Sequence, residues 1–297
     1  MRYLLNITDL SSEELVQVLH LAERTDLRPV LAGLGVALIF EKPSNRTRQS
    51  MEMAVAQLGG HPVYTRGEEV GFDVRETVED ITRVMAGYHA MLAARVFDHA
   101  VVERMAAVST VPIVNMLSDY SHPLQGLADA LTMQQVHGPL SGQTVAYIGD
   151  YNNVARSLAE ACVLLNANVA LGCPVGYHAP DVELERLNLL GGGRVRQVHR
   201  ADDAVVGAIA VHTDTWTAMG QEAEKDDRKQ AFEGYTVTDQ MMAKAAPNAG
   251  FYHCLPAYRG YEVAADVFDG PNSHVFQQAH NRMHAARGAL AFLMGVR

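Results

Sequence analysis

Short apolar runs alternate with amphipathic stretches along most of this chain. "GVALIFE" (35–41) is a continuous hydrophobic run of strand length, as expected of a strand covered on both faces. The stretch after Ser44 carries Met51, Val55 and Leu58 on one helical side and stops at Gly59-Gly60. "HPVYTR", "AMLAARVF" and "VPIVNML" read as further strands, with "RETVEDITRVMAGY" and "HAVVERMAAVS" as the helices between them. An amphipathic helix opened by "SSEE", with capping-box spacing, precedes them all. The long helix "HPLQGLADALTMQQVHG" follows the fourth strand and ends near Gly138-Pro139. The alternation then restarts with "TVAYIGD", "NVALGCP", "RVRQVH", "AIAVHTD" and "GFYHCLP". Such βαβ repetition predicts an α/β protein: two doubly wound parallel-sheet domains joined by long helices. The restart sets the expected boundaries at 1–138 and 139–279, with a last helix, about 280–297, packing back on the first domain.

Composition narrows the function classes. A formal net charge of −10 argues against a nucleic-acid surface, while a local basic pocket stays compatible with it. No apolar run approaches a membrane span, and "MRYLLNITDLSSEEL" lacks the long apolar core and cleavage region of a secretory signal. Three cysteines, Cys162, Cys173 and Cys254, form an odd set without metal-ligand spacing. A reduced, cytoplasmic setting without a bound metal is expected.

The candidate chemistry lies just past the predicted strands, where open parallel sheets bind ligands. Ser44, Asn45, Arg46, Thr47 and Arg48 follow the first strand; Arg95 ends the third; His122 and Gln125 follow the fourth. In the second half, "GDYNNV" (149–154), "DTWTAMG" (214–220) and "HCLPAYRG" (253–260) hold the same position. Cations at a helix start oppose the macrodipole unless an anion sits there. Ser44, Thr47 and the helix-start N–H groups suit such an anion, and Arg46 adds a fork of donors. The same residues also read as an ordinary cap with solvated arginines. His122 and Gln125, three apart on a first turn, point one way, which a satisfied histidine would also explain. Cys254 reads equally as a small hydrophobe, and Asp214 as a turn cap. "TVAYIGDYNNVARSL" opens like a dinucleotide fold but lacks G-x-G-x-x-G and a ribose-binding acid, so nicotinamide binding is not expected.

Seven motifs, in order, carry a family resemblance across essentially the whole chain: "FEKPSNRTR", "ARVF", "SHPLQGLADALT", "GDYNNVARS", "DTWTAMGQEAEKDDR", "HCLPAYRGYEV" and "NRMHA". The sequence resembles the ornithine carbamoyltransferases, and "HCLPA" with "MGQE" separates it from their aspartate-specific relatives. The resemblance implies transfer of a carbamoyl group from carbamoyl phosphate to the δ-amine of L-ornithine, giving L-citrulline and phosphate. It further implies a role in arginine biosynthesis, a homotrimer or multiple of trimers with active sites near subunit interfaces, and no cofactor. Ser44, Asn45, Arg46 and Thr47 match the phosphate-holding positions, with Asn45 in place of a usual threonine. Arg95, His122, Gln125 and Arg282 match the groups around the carbamoyl carbonyl. Asn153, Asp214, Ala218 and Met219 match the ornithine-holding positions, and Cys254 and Leu255 those near the reacting amine.

Two departures qualify the expectation. Ala218 stands where the family has a serine against the amino-acid end of ornithine, and Gly71 where a polar side chain would reach the neighbouring subunit's phosphate. Ala218 prompts the rival expectation of a carbamoyltransferase for another amine or amino acid, and a catalytically silent ligand-binding paralogue is the alternative of a different class. Retention of Arg46, Arg95, His122, Gln125, Asp214 and Cys254 argues against silence, because nothing structural demands that whole set.

Overall fold

The computed structural model describes residues 2–217 and 222–297. The chain divides into two compact units, residues 1–128 with 280–297 and residues 129–279.

In the first unit, α1 (Ser12–Glu23) starts at the Ser11 cap, whose hydroxyl accepts the Glu14 N–H while Glu14 reaches back to the Ser11 N–H. There follow β1 (Gly35–Phe40), α2 (Asn45–Gln57), β2 (His61–Arg66), α3 (Gly67–Val70), α4 (Val78–Ala86), β3 (Met91–Arg95), α5 (His99–Val108) and β4 (Ile113–Leu117). The four strands are parallel in the order β2-β1-β3-β4. β1 and β3 are central and buried almost throughout, which is why they read as unbroken apolar runs. β2 is half-exposed at an edge, where Pro62 costs the sheet little. Met51, Val55 and Leu58 of the second helix and its end are fully buried. The stretch 67–77, ahead of and at the start of the expected helix "RETVEDITRVMAGY", has structure of its own. It holds the one-turn α3, and Gly71 closes it at φ 59, a left-handed conformation that glycine adopts at least cost. Thr77 then caps α4.

The second unit contains β5 (Thr144–Ile148), α7 (Asn153–Leu164), β6 (Asn168–Gly172), α8 (Asp181–Leu190), β7 (Val195–Val198), α9 (Ala201–Val205), β8 (Ala210–Thr213), α10 (Lys225–Ala231), α11 (Asp239–Met242), β9 (Gly250–His253) and α12 (Ala265–Phe268). Its five strands are parallel in the order β7-β6-β5-β8-β9. Ile148, Val211, Phe251 and Val267 belong to a core packed under this sheet. The unit boundary falls inside two long helices, α6 (Pro123–His137) and α13 (Val275–Leu293). The last helix starts four residues before the predicted "AHNRMH" segment.

Strand order reverses between β1 and β3 in the first sheet, and between β5 and β8 in the second. Crevices open at such reversals, beyond the strand ends. Apart from Arg282 on α13, the candidate residues lie at the ends of these strands and of their neighbours β4 and β9.

Candidate functional site

In the first unit, Ser44 caps α2 in an extended conformation, its hydroxyl accepting the Thr47 N–H at 3.3 Å and donating to Thr47 Oγ1 at 3.1 Å. Asn45 and Arg46 are exposed on the opening turn, and Thr47 is buried. Thr47 Oγ1 in turn accepts from Arg95 Nη1 at 3.3 Å and from Arg282 Nη2 at 3.5 Å. Arg282 Nη1 donates to Gln125 Oε1 at 2.5 Å and lies 3.4 Å from His122 Nε2. All four of Arg95, His122, Gln125 and Arg282 are at least nine-tenths buried. Two guanidinium groups are therefore held beside a helix N-terminus through neutral hydroxyl and amide oxygens. That arrangement concentrates positive potential where a phosphate would find donors. Arg48 turns elsewhere, pairing with Glu52 at 2.8 Å and lying over the Tyr64 ring.

The loop before α6 is built to present His122. Asn115 on β4 donates to the Ser121 carbonyl and to Ser118 Oγ, and Ser118 Oγ also accepts the Ser121 N–H. Pro123 then occupies the first helical position, where its missing N–H costs nothing. Burial, reinforced by Arg282 and Arg95, pushes His122 well below the ordinary imidazole range. A neutral ring with one N–H to donate is the result.

In the second unit, Asp214 follows β8. Its Oδ1 accepts the Thr215 N–H at 2.8 Å and the Cys254 thiol at 3.1 Å, and its Oδ2 accepts from the Asn152 amide at 2.9 Å. Asn152, not the neighbouring Asn153, reaches Asp214. It also caps α7 by accepting the Val154 and Ala155 N–H groups. Asn153 is the first residue of α7 and half-buried. Gly149, at φ 140, makes the turn that feeds them. Ala218 and Met219 lie outside the described residues.

The "HCLP" stretch is anchored from behind. Leu255, at φ 62 and followed by a cis bond to Pro256, donates its N–H to His253 Nδ1 at 2.9 Å. His253 Nδ1 is thereby an acceptor, so its Nε2–H faces Glu262 Oε1 at 3.2 Å. Glu262 is fully buried and also accepts the Tyr258 N–H at 2.6 Å. Cys254 is partly exposed, whereas burial pushes the Cys162 and Cys173 thiols far above their ordinary value. Asp214, His253 and Cys254 offer ligand atoms within 4.8 Å of one another, but both imidazole nitrogens already have partners.

Asn152, His253 and Glu262 escape sequence reasoning. An asparagine cap leaves the same signature at any helix start, and Glu262 pairs back across nine residues of loop. Their place in "GDYNNV" and "HCLPAYRGYEV" was the only available signal.

Comparison with known proteins agrees with this division of chemistry. Residues 2–135 match a model described as the carbamoyl-P binding domain of aspartate/ornithine carbamoyltransferase, and residues 141–293 match its Asp/Orn binding domain. An ornithine carbamoyltransferase of a Parafrankia species is 43% identical over 99% of this chain and 96% of its own length. An anabolic ornithine carbamoyltransferase of Pyrococcus furiosus is 42% identical over the same shares. The solved structure of an ornithine carbamoyltransferase from Pyrococcus furiosus superposes with a TM-score of 0.95 at 40% identity, covering 100% of this chain and 98% of that one. With both halves matched by the family's models and near-complete coverage at such identity, the chain belongs to the aspartate/ornithine carbamoyltransferase family.

Proposed function

We propose that this protein transfers the carbamoyl group of carbamoyl phosphate to the δ-amine of L-ornithine, forming L-citrulline and phosphate. The observation that carries the reading is the meeting of Arg95, His122, Gln125 and Arg282 around Thr47 at the start of α2. Ser44, Asn45, Arg46 and Thr47 take the phosphate. The carbamoyl oxygen faces Arg95 and His122, and Gln125 grips the carbamoyl amide. As the neutral amine forms the new C–N bond, charge builds on that oxygen; the C–O bond to phosphate then breaks and the amine loses a proton. Donors already fixed around the oxygen stabilise this charge without reorganising. The neutral state of His122 suits it to donate one hydrogen bond there without adding a third cation beside the two arginines.

Ornithine belongs with the second unit: Asp214 receives its α-ammonium, with Asn153 and, by the family resemblance, Ala218 and Met219 among the ornithine-holding positions, and Cys254 and the Leu255 carbonyl attend the reacting amine. Residues 1–138 and 139–279 are the two substrate domains, a boundary the family-model matches at 2–135 and 141–293 support, and the grouping of residues 280–297 with the first compact unit supports the return of the last helix to it. No helix among the described residues is long and apolar enough to cross a membrane. Assembly as a homotrimer, or a multiple of trimers, in the cytoplasm and a place in arginine biosynthesis complete the proposal. The test is citrulline formation from carbamoyl phosphate with ornithine and with a panel of other amines. Ornithine should be the preferred acceptor by kcat/KM; a different preferred amine, or no transfer at all, overturns the assignment.

A further inference from the structure

One buried guanidinium outside the residues above joins three parts of the second unit. Arg228, on α10, is 6% exposed. Its Nη1 donates to Asp150 Oδ2 at 2.8 Å and to the Trp216 carbonyl at 3.1 Å, and its Nε donates to Glu224 at 2.9 Å. The group lies over the Tyr177 ring, 5.0 Å from its centre. Asp150 and Asn152 share the turn after β5, and Asn152 holds Asp214. Trp216 is two residues past Asp214. The β5–α7 turn therefore grips the Asp214 segment twice: directly through Asn152, and through Asp150, Arg228 and the Trp216 carbonyl.

We propose that Arg228 and Asp150 act as a pair of positioning residues that set acceptor affinity by fixing the segment carrying Asp214. The inference rests on the reading of Asp214 as the acceptor's ammonium partner. Geometry requires both members. Arg228 without Asp150 loses its link to the turn, and Asp150 without Arg228 is a second carboxylate near Asp214. Burial already lifts the Asp150 carboxyl above its ordinary range, Arg228 opposes that rise and Asp214 adds to it. An unpaired Asp150 would compete with Asp214 for a cation or take up a proton. Nη1 reaches a carboxylate and a carbonyl at once while Nε of the same planar group holds Glu224, a fixed arrangement that a lysine ammonium on a flexible stem keeps less well.

The experiment uses Arg228→Gln, Arg228→Lys, Asp150→Asn and the double variant, with two readouts. The first is steady-state kinetics. For Arg228→Gln and Asp150→Asn the KM for ornithine should rise about tenfold, as loss of a charge-assisted bond suggests, while the KM for carbamoyl phosphate stays within about twofold. Arg228→Lys should recover part of the loss, and the double variant should cost less than the two singles combined. The second readout, alkylation of Cys254 by iodoacetamide, needs no substrate. The Cys254 thiol donates to Asp214, so loosening that carboxylate should raise the labelling rate about threefold or more. Cys162 and Cys173 should stay unlabelled in the native state, which makes Cys254 the reporter. Parallel changes in both KM values, or lowered thermal stability with unchanged ornithine KM and labelling, overturn the proposal and leave Arg228 a structural residue. If wild-type protein ignores ornithine yet the variants label faster, the substrate assignment fails and the positioning role stands.

Discussion

In the proposed function, Arg46 and Arg95 serve an anion in different ways. Arg95 is buried and held by Thr47, so its geometry is set before any ligand arrives. Arg46 is exposed at the opening turn of α2 and is expected to swing onto a bound phosphate. Arg46→Ala should therefore raise the KM for carbamoyl phosphate roughly tenfold or more, the scale of a lost charge-assisted hydrogen bond, and leave the melting temperature nearly unchanged. A melting temperature that falls with unchanged kinetics would return Arg46 to the role of a surface arginine. Sequence alone exposes such residues when they sit at or just past the end of a strand, as Ser44, Arg95, His122, Asp214 and Cys254 do. It hides partners whose meeting depends on strand order. That Asn152 faces Asp214 follows from β5 lying beside β8, which no local pattern in "GDYNNV" reveals.

Among elements, the strands were the most legible, because burial on both faces imposes an unbroken apolar run. Helix ends were legible where a capping residue marks them. "SSEE" foretells α1, and Ser11 and Glu14 exchange both bonds of the box. Removing the hydroxyl in Ser11→Ala should cost about 1 kcal/mol, measurable by urea denaturation, with no change in turnover. No loss of stability would mean that water replaces the cap without penalty. The one-turn α3 escaped notice because "GEEVGFDV" has neither a helical nor a strand period. Its glycine at 71 answers to local geometry: a side chain there would meet Arg75 Cγ at 3.2 Å in a backbone conformation that few residues adopt.

For the molecule as a whole, buried imidazoles govern the response to acid. His122 is depressed well below its ordinary value by burial and two arginines, and burial also lowers His89, His99, His137, His274 and His284. In the unfolded chain each takes up a proton near pH 6.5, whereas in the fold it does so only at lower pH. The unfolded state thus binds more protons in that window, and stability must fall as pH drops below about 6.5. Each histidine whose protonation is fully suppressed contributes about 1.4 kcal/mol per pH unit there. Burial raises Glu41, Asp150 and Glu160, which act with the opposite sign but around lower pH. The melting temperature should accordingly decline between pH 7 and 5.5, and a flat profile would contradict the buried neutral histidines. The long α13 carries a different consequence, one of timing. Arg282 lies 157 residues after Gln125, the side chain it holds at 2.5 Å, and on the ribosome it emerges after every strand of both sheets. A nascent polypeptide can complete both sheets, and can fold the second unit entirely, while the proposed anion pocket still lacks one of its two buried guanidinium groups. Affinity for the phosphate-bearing substrate therefore arrives only after both sheets are in place, so a translation product that stops before Arg282 should be well folded in part yet unable to sequester carbamoyl phosphate.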